Sequence, residues 1–223
     1  MKEVKSNKEQ FFSKISHDLR GSFTSILGFS DIINDPDENL TEHEIKDFVS
    51  RIGKQSHESF NLLVNFVNWL KLENYDYGLV NEKLQVLDSL IEIKSNQIKG
   101  ILSKNLKINF NVDENEFVFM DYEILSAILN NIFIFLIKIC CENSIISFKT
   151  VDANDKFLTI DILADCKGQE YTLLQNIDLR DLGNELSFPI VFAIKFVEQS
   201  GGMFNFSVDD KSNLFISIKL PKE

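Results

Sequence analysis

The stretch Phe11-Phe12-Ser13-Lys14-Ile15-Ser16-His17-Asp18-Leu19-Arg20-Gly21 opens a run in which apolar residues recur at 12, 15, 19, 23, 26, 27 and 33. That three-and-four spacing is the buried stripe of one long helix. His17 stands two residues from both Ile15 and Leu19, about 200° around the helix from each. The pattern therefore holds an imidazole on the solvent side of a helix whose other side is packed. Two readings follow: a solvated surface histidine, or a reactive group held out for a partner.

Working outward, the helix is expected from about Lys5 to Asn34. It stops at Asp35-Pro36-Asp37, because proline disfavours helical backbone in the residue before it. Thr41 with Glu44 three positions later has the pattern of a capping box. The helix it opens carries Ile45, Phe48, Val49, Ile52, Phe60, Leu63, Phe66, Val67 and Leu70. Two stripes this wide cannot both be buried inside one hairpin. A second copy would complete a four-helix bundle, so a homodimer is expected, and packing of the hairpin on its own C-terminal domain is the alternative. Asn74-Tyr75-Asp76-Tyr77-Gly78 breaks the helical pattern and divides the chain into a hairpin domain, 1–73, and a second domain, 79–223.

Beyond that break the pattern is mixed. It predicts a helix near Asp88–Ser103, a strand at Leu106–Val112 and a helix from about Asp121 to Cys141. Strands near Ser144–Val151 and Lys156–Ala164 follow, then a helix at about Ser187–Gln199 and closing strands at Met203–Val208 and Leu214–Leu220. This order predicts an α/β sandwich, one sheet covered by helices on one face, and an α+β chain as a whole.

Composition narrows the function. With 34 acidic against 23 basic residues the net charge is −11, and no Lys/Arg cluster offsets it. A nucleic-acid backbone would be repelled, so nucleic acid is not expected as a partner. Phenylalanine is abundant, at 20 of 223 residues, and most of it falls at periodic positions that suit a core. Cys140, Cys141 and Cys166 form an odd set without metal-ligand spacing; adjacent Cys140 and Cys141 in an apolar helix read as buried thiols. The longest apolar run, Ile132 to Ile137, is too short to span a bilayer, so no membrane segment and a cytoplasmic, reducing location are expected.

His-Asp-Leu-Arg, preceded by Phe-x-x-x-Ile-Ser, resembles the phospho-acceptor box of two-component histidine kinases over roughly residues 10–34. Gly21-Ser22 departs from the Thr-Pro usual after the arginine. The resemblance implies that His17 carries a phosphoryl group on a ring nitrogen and that Asp18 fixes its tautomer or takes its proton; an ordinary solvated carboxylate is the other reading of Asp18. The second half is similar to the ATP-binding domain of the same family. Met120-Asp121-Tyr122-Glu123-Ile124-Leu125 and Ile194-Lys195-Phe196-Val197-Glu198-Gln199-Ser200-Gly201-Gly202 carry that likeness.

The family's nucleotide site is altered at four places. Asn131 matches the first amide of its Asn-x-x-x-Asn turn, but Phe135 stands where the second would hold magnesium, and a phenyl ring offers no oxygen ligand. Asp165-Cys166-Lys167-Gly168-Gln169 keeps the aspartate of the adenine-binding motif and loses two glycines, at Lys167 and Gln169. Ser187-Phe188-Pro189 replaces a glycine-rich turn whose amides would cradle phosphates, and proline has no N–H. Only 18 residues lie between Gly168 and Ser187, short for an ATP lid. These changes imply a degenerate ATPase fold without a cofactor or metal of its own.

A histidine that cannot be loaded from ATP by its own chain can still take a phosphoryl group from an aspartyl phosphate. The combination resembles the ChpT-like histidine phosphotransferases of alphaproteobacterial phosphorelays. It implies a homodimer that accepts phosphate from the receiver domain of a hybrid histidine kinase and passes it to one or more response regulators. Magnesium would sit on the receiver. Ser13, Lys14, Arg20, Gly21, Thr24 and Gly28 lie on or near the His17 face and are the candidate receiver contacts. Gly21 and Gly28 each cost helix stability, roughly 1 kcal/mol relative to alanine, which asks for close approach of a partner or a neutral tolerance. Lys14 and Arg20 could lower repulsion between an acidic chain and a phosphorylated aspartate. His43 and His57 read as surface residues. Two other functions remain: a pseudokinase scaffold that binds receivers without being phosphorylated, and an active histidine kinase with an unusual nucleotide site.

Overall fold

The computed structural model describes residues 2–73, 78–154, 156–165, 188–209 and 213–223. The chain divides into two compact units, 1–67 and 68–223.

The first unit is a hairpin of α1 (Lys2–Asn34) and the greater part of α2 (Glu42–Glu73). α1 ends one residue before Asp35-Pro36, as proline's restriction on its neighbour requires. Asp35 then accepts from the Asp37 amide at 2.9 Å, closing the turn. The capping box forms: the Glu44 amide donates to Thr41 Oγ1 at 3.3 Å, and the Thr41 amide donates back to Glu44 Oε2 at 2.8 Å. Three contacts set the register of the hairpin. Phe12 meets Phe66 edge to face at 5.6 Å, Gln55 Nε2 donates to Ser22 Oγ at 2.7 Å, and Phe29 stacks on Phe48 at 5.5 Å.

Burial along α1 is partial, as stripes too wide for one hairpin require. Ile15 is fully enclosed, whereas Leu19, Ile26 and Ile33 are half-buried and Phe12, Phe23 and Leu27 are exposed. On α2, Val49, Phe60, Leu63 and Val67 are exposed as well. One hairpin has a single contact seam, and the stripes are wider than that seam.

The second unit begins with the end of α2, where Trp69 and Leu72 are buried and Lys71 pairs with Glu123. A five-stranded sheet runs in the order β2 (Lys107–Asn111), β4 (Ile145–Asn154), β5 (Phe157–Asp165), β7 (Asn213–Pro221), β6 (Met203–Val208). Only the β2–β4 pair is parallel. Side chains alternate across a strand, and the register aligns Phe148, Ile162 and Ile216 in one buried row, with Ile146, Ala164 and Leu214 in the next. On the other face Lys149, Asp161 and Ser217 align, and the Ser217 hydroxyl donates to Asp161 at 2.7 Å.

The apolar face is covered by helices. α3 (Val86–Asn96) and α4 (Ile98–Ser103) come first, where the sequence pattern predicts one helix; the break falls at Gln97. α5 (Tyr122–Ile139) lies between α3 and α6 (Phe188–Gln199) and is buried at eleven positions. It is the one helix among the described residues long and apolar enough to cross a bilayer, and 61% of it is buried within the protein. Those properties suit a helix covered on most sides. A small ribbon of β1 (Asn81–Gln85) and β3 (Phe117–Asp121), which the sequence pattern misses, leads into α3 and α5. Asp121 caps α5 by accepting from the Glu123 and Ile124 amides, and its other oxygen accepts from the Val80 amide. Cys140, which caps the C-terminus of α5, is buried as expected, but Cys141, the residue after it, is only half-buried; Cys166 lies outside the described residues. α6 ends at Ser200-Gly201-Gly202. Gly201 takes a left-handed φ of 79°, and a Cβ on Gly202 would strike the Lys219 carbonyl of β7. Glycine is required there by backbone approach.

Candidate functional site

α1 runs unbroken through residues 13–28, so its faces are fixed by helix geometry. Ile15, on one side, is 2% exposed, while the His17 side chain, on the other, is 83% exposed. Its Nδ1 lies 3.1 Å from Asp18 Oδ1. An ionised carboxylate can only accept, so this contact places the ring hydrogen on Nδ1 of the neutral imidazole. The lone pair is then on Nε2. A ring in this state is a nitrogen nucleophile directed at solvent, with a carboxylate behind it to offset charge that develops on alkylation or phosphorylation.

Lys14 Nζ lies 3.0 Å from the same oxygen, Asp18 Oδ1. Lys14 is thereby held on its own helix, beside the face expected to meet a receiver. The four-residue spacing of Lys14 and Asp18 was the signal for this contact. Ser13, Arg20, Gly21 and Thr24 are exposed around His17, and Gly28 is half-buried further along. A Cβ built on Gly21 or Gly28 would meet nothing within 4 Å, so no packing among the described residues demands glycine at either position. His43 and His57 are exposed.

In the second unit three of the described positions that align with a nucleotide site, Asn131, Phe135 and Pro189, are buried, and Asp165 is half-buried. Asn131 is buried and donates Nδ2 to the Ala127 carbonyl of its own helix at 2.8 Å. Phe135 is fully buried and meets Phe206 of β6 edge to face at 6.1 Å. Pro189 is buried in the first turn of α6, and Asp165, at the end of β5, pairs with Asn213. A magnesium ion needs oxygen ligands and keeps several waters; a phenyl ring packed in the core does not fit that role. Cys166, Lys167, Gly168, Gln169 and Ser187, with the segment read as a shortened lid, lie outside the described residues, as do positions 74–77 of the expected boundary.

No protein-family profile matches the chain. Among proteins of known function, it is similar to Drug sensory protein A of Synechocystis sp., with 24% identity over 139 residues. That match takes in 58% of this chain, which spans about a fifth of the relative's length (20%). Among solved structures, histidine kinase AdeS of Acinetobacter baumannii superposes with a TM-score of 0.69 at 15% identity, covering 93% of this chain and 98% of that one. Histidine kinase ThkA, in its complex with the response regulator protein TrrA, gives 0.65 at 17% identity over the whole of this chain and 64% of that one. The catalytic domain of ThkA alone gives 0.54 at 14% identity over 64% of this chain. The fold is therefore that of the histidine kinases, a helical hairpin ahead of a catalytic-domain sandwich.

Proposed function

We propose that the chain is a phosphorelay histidine phosphotransferase, in which His17 takes a phosphoryl group from a receiver aspartate and gives it to the aspartate of a response regulator. The observation that carries this reading is the exposed His17 ring, bound through Nδ1 by Asp18, in a chain with a histidine-kinase fold and a buried phenylalanine at the magnesium position. In the forward step the P–O bond of the acyl phosphate breaks as the Nε2–P bond forms. The donor carboxylate departs with its electron pair, and the Nδ1 proton stays where Asp18 holds it. The reverse step on a second receiver returns the ring to its starting state. Transfer of this kind needs in-line placement and charge neutralisation, which a receiver's own magnesium would supply.

Ser13, Arg20, Gly21, Thr24 and Gly28 form the contact face for the receiver in this reading. The uncovered apolar side chains of both helices serve a homodimeric four-helix bundle. The resemblance of the fold to a histidine kinase solved with a response regulator supports a receiver-type partner.

The test uses the full chain with radiolabelled ATP and magnesium, then with a phosphorylated receiver. Label is expected only from the receiver and only on His17. His17→Ala should abolish it with an unchanged circular dichroism spectrum and unfolding midpoint, because so exposed a ring contributes little burial. Labelling from ATP alone would favour an active kinase. A receiver that binds without transferring would favour a scaffold.

A further inference from the structure

We propose that Lys14 is a positioning residue for His17 and acts through Asp18. The proposal rests on the reading of His17 as the phosphoryl carrier and concerns what makes its ring competent. Helix geometry alone does not bring a histidine and the next residue together, since neighbours in sequence point about 100° apart. Asp18 must lean toward His17 to reach Nδ1, and an exposed carboxylate has water as an alternative partner. Lys14 lies three residues before His17 and four before Asp18, on the helix surface between them. Its ammonium, 3.0 Å from Asp18 Oδ1, takes one lone pair of the oxygen whose other lone pair receives His17 Nδ1 at 3.1 Å. The Lys14 and Asp18 side chains are 31% and 30% exposed against 83% for His17, so the pair is a sheltered base under a projecting ring.

The consequence is chemical. A free neutral histidine favours the hydrogen on Nε2, which masks the nitrogen that faces the partner. Asp18, held in place, reverses that preference and leaves the lone pair on Nε2. Lys14 also places positive charge beside Asp18, so the carboxylate is less repelled by the oxygens of an approaching phosphoryl group. Without Lys14 the carboxylate relaxes into water and the ring returns toward its free tautomer. A direct contact of Lys14 with the receiver is the competing role, and it predicts a change in receiver affinity with no change in the free protein.

Nitrogen–proton correlation spectra of the full-length, nitrogen-15-labelled protein at about pH 8.5, above the ordinary imidazole range, read the tautomer directly. His17→Ala assigns the signals. Wild type should show mainly the Nδ1–H form. Lys14→Gln should shift the ratio by about twofold toward Nε2–H, the scale of a surface pair one turn apart, and Lys14→Arg should restore it. In single-turnover transfer from a phosphorylated receiver, Lys14→Gln should lower the maximal rate by a similar factor with the half-saturating receiver concentration unchanged. An unaltered tautomer ratio in Lys14→Gln, or an effect confined to half-saturation, overturns the proposal. If the ratio shifts but wild type accepts no phosphate from any receiver, the relay reading fails and the positioning role stands.

Discussion

The two units of this chain spend their apolar side chains differently. In the second, the inward rows of the sheet and the facing helices are closed to solvent: Phe133, Phe135, Phe148, Phe192 and Phe196 are all essentially inaccessible. In the hairpin, Phe23, Leu27, Val49 and Phe60 are each more than half exposed. A sheet with a helical cover is a complete solution to burial, whereas two amphipathic helices are half of one. The proposed chemistry sits on the incomplete half. A surface proposed to meet partners keeps area uncovered, whereas in the closed unit Asn131 and Phe135 are packed into the core.

The largest effect that sharpens this contrast is expected at Phe135. Phe135→Asn restores the family's amide but removes a fully buried ring and places a polar group in the core. Phenylalanine truncation in a core costs about 3–5 kcal/mol, and an unpaired amide adds to it. Trp69, the single tryptophan, is buried in the second unit and reports its unfolding in urea. The midpoint should fall sharply with no magnesium–ATP binding by calorimetry. A variant that keeps its stability and binds ATP would mean the site is a nucleotide site filled by one side chain.

The next effect tests the open half. Phe60→Glu should leave Trp69 unfolding unchanged and abolish self-association. Covering a phenylalanine is worth about 1.5–3 kcal/mol, and a twofold axis counts it twice. Light scattering should give about twice the 25.7 kDa chain mass for wild type and the chain mass for the variant. Wild type at the chain mass at micromolar concentration would remove the dimer.

How much of this was legible in the sequence follows the same division. The hairpin ends were readable because they depend on local chemistry, Pro36 at one and the Thr41–Glu44 pair at the other. The strands of the large sheet were readable because alternation is strong from Phe157 to Asp165 and from Asn213 to Pro221. The β1–β3 ribbon was not: Asn81-Glu82-Lys83-Leu84-Gln85 carries little apolar signal and is fixed by pairing with Phe117–Asp121 over thirty positions away. At the site, helix periodicity gave the exposure of His17. The Lys14–Asp18 contact leaves only a four-residue spacing in the sequence, a pattern that many solvated helix pairs share. The uncovered part of the α1 stripe was legible as well, because periodicity gives a width that one hairpin seam cannot cover.

The smallest effect lies at the start of α2, where the hairpin's geometry depends on one exposed carboxylate. Hydrogen bonds from the Thr41 hydroxyl and then the Thr41 backbone amide hold the Glu44 carboxyl below its ordinary range, while its slight desolvation acts the other way. A depressed carboxyl stabilises the folded state at pH values above its unfolded value of 4.5, and that contribution is lost as pH falls through the lower folded value. Glu44→Gln keeps the shape of the capping box and removes the charge. Wild type should therefore melt slightly above Glu44→Gln at pH 7. The gap should narrow as the pH falls below 4.5 and close once it lies below the lowered folded value, when both side chains are neutral. Far-UV circular dichroism of the two proteins across that range measures it. A gap that does not change as the pH falls would show that the two side chains differ in the cap by something other than charge, and that the turn between α1 and α2 owes nothing to the carboxylate's ionisation.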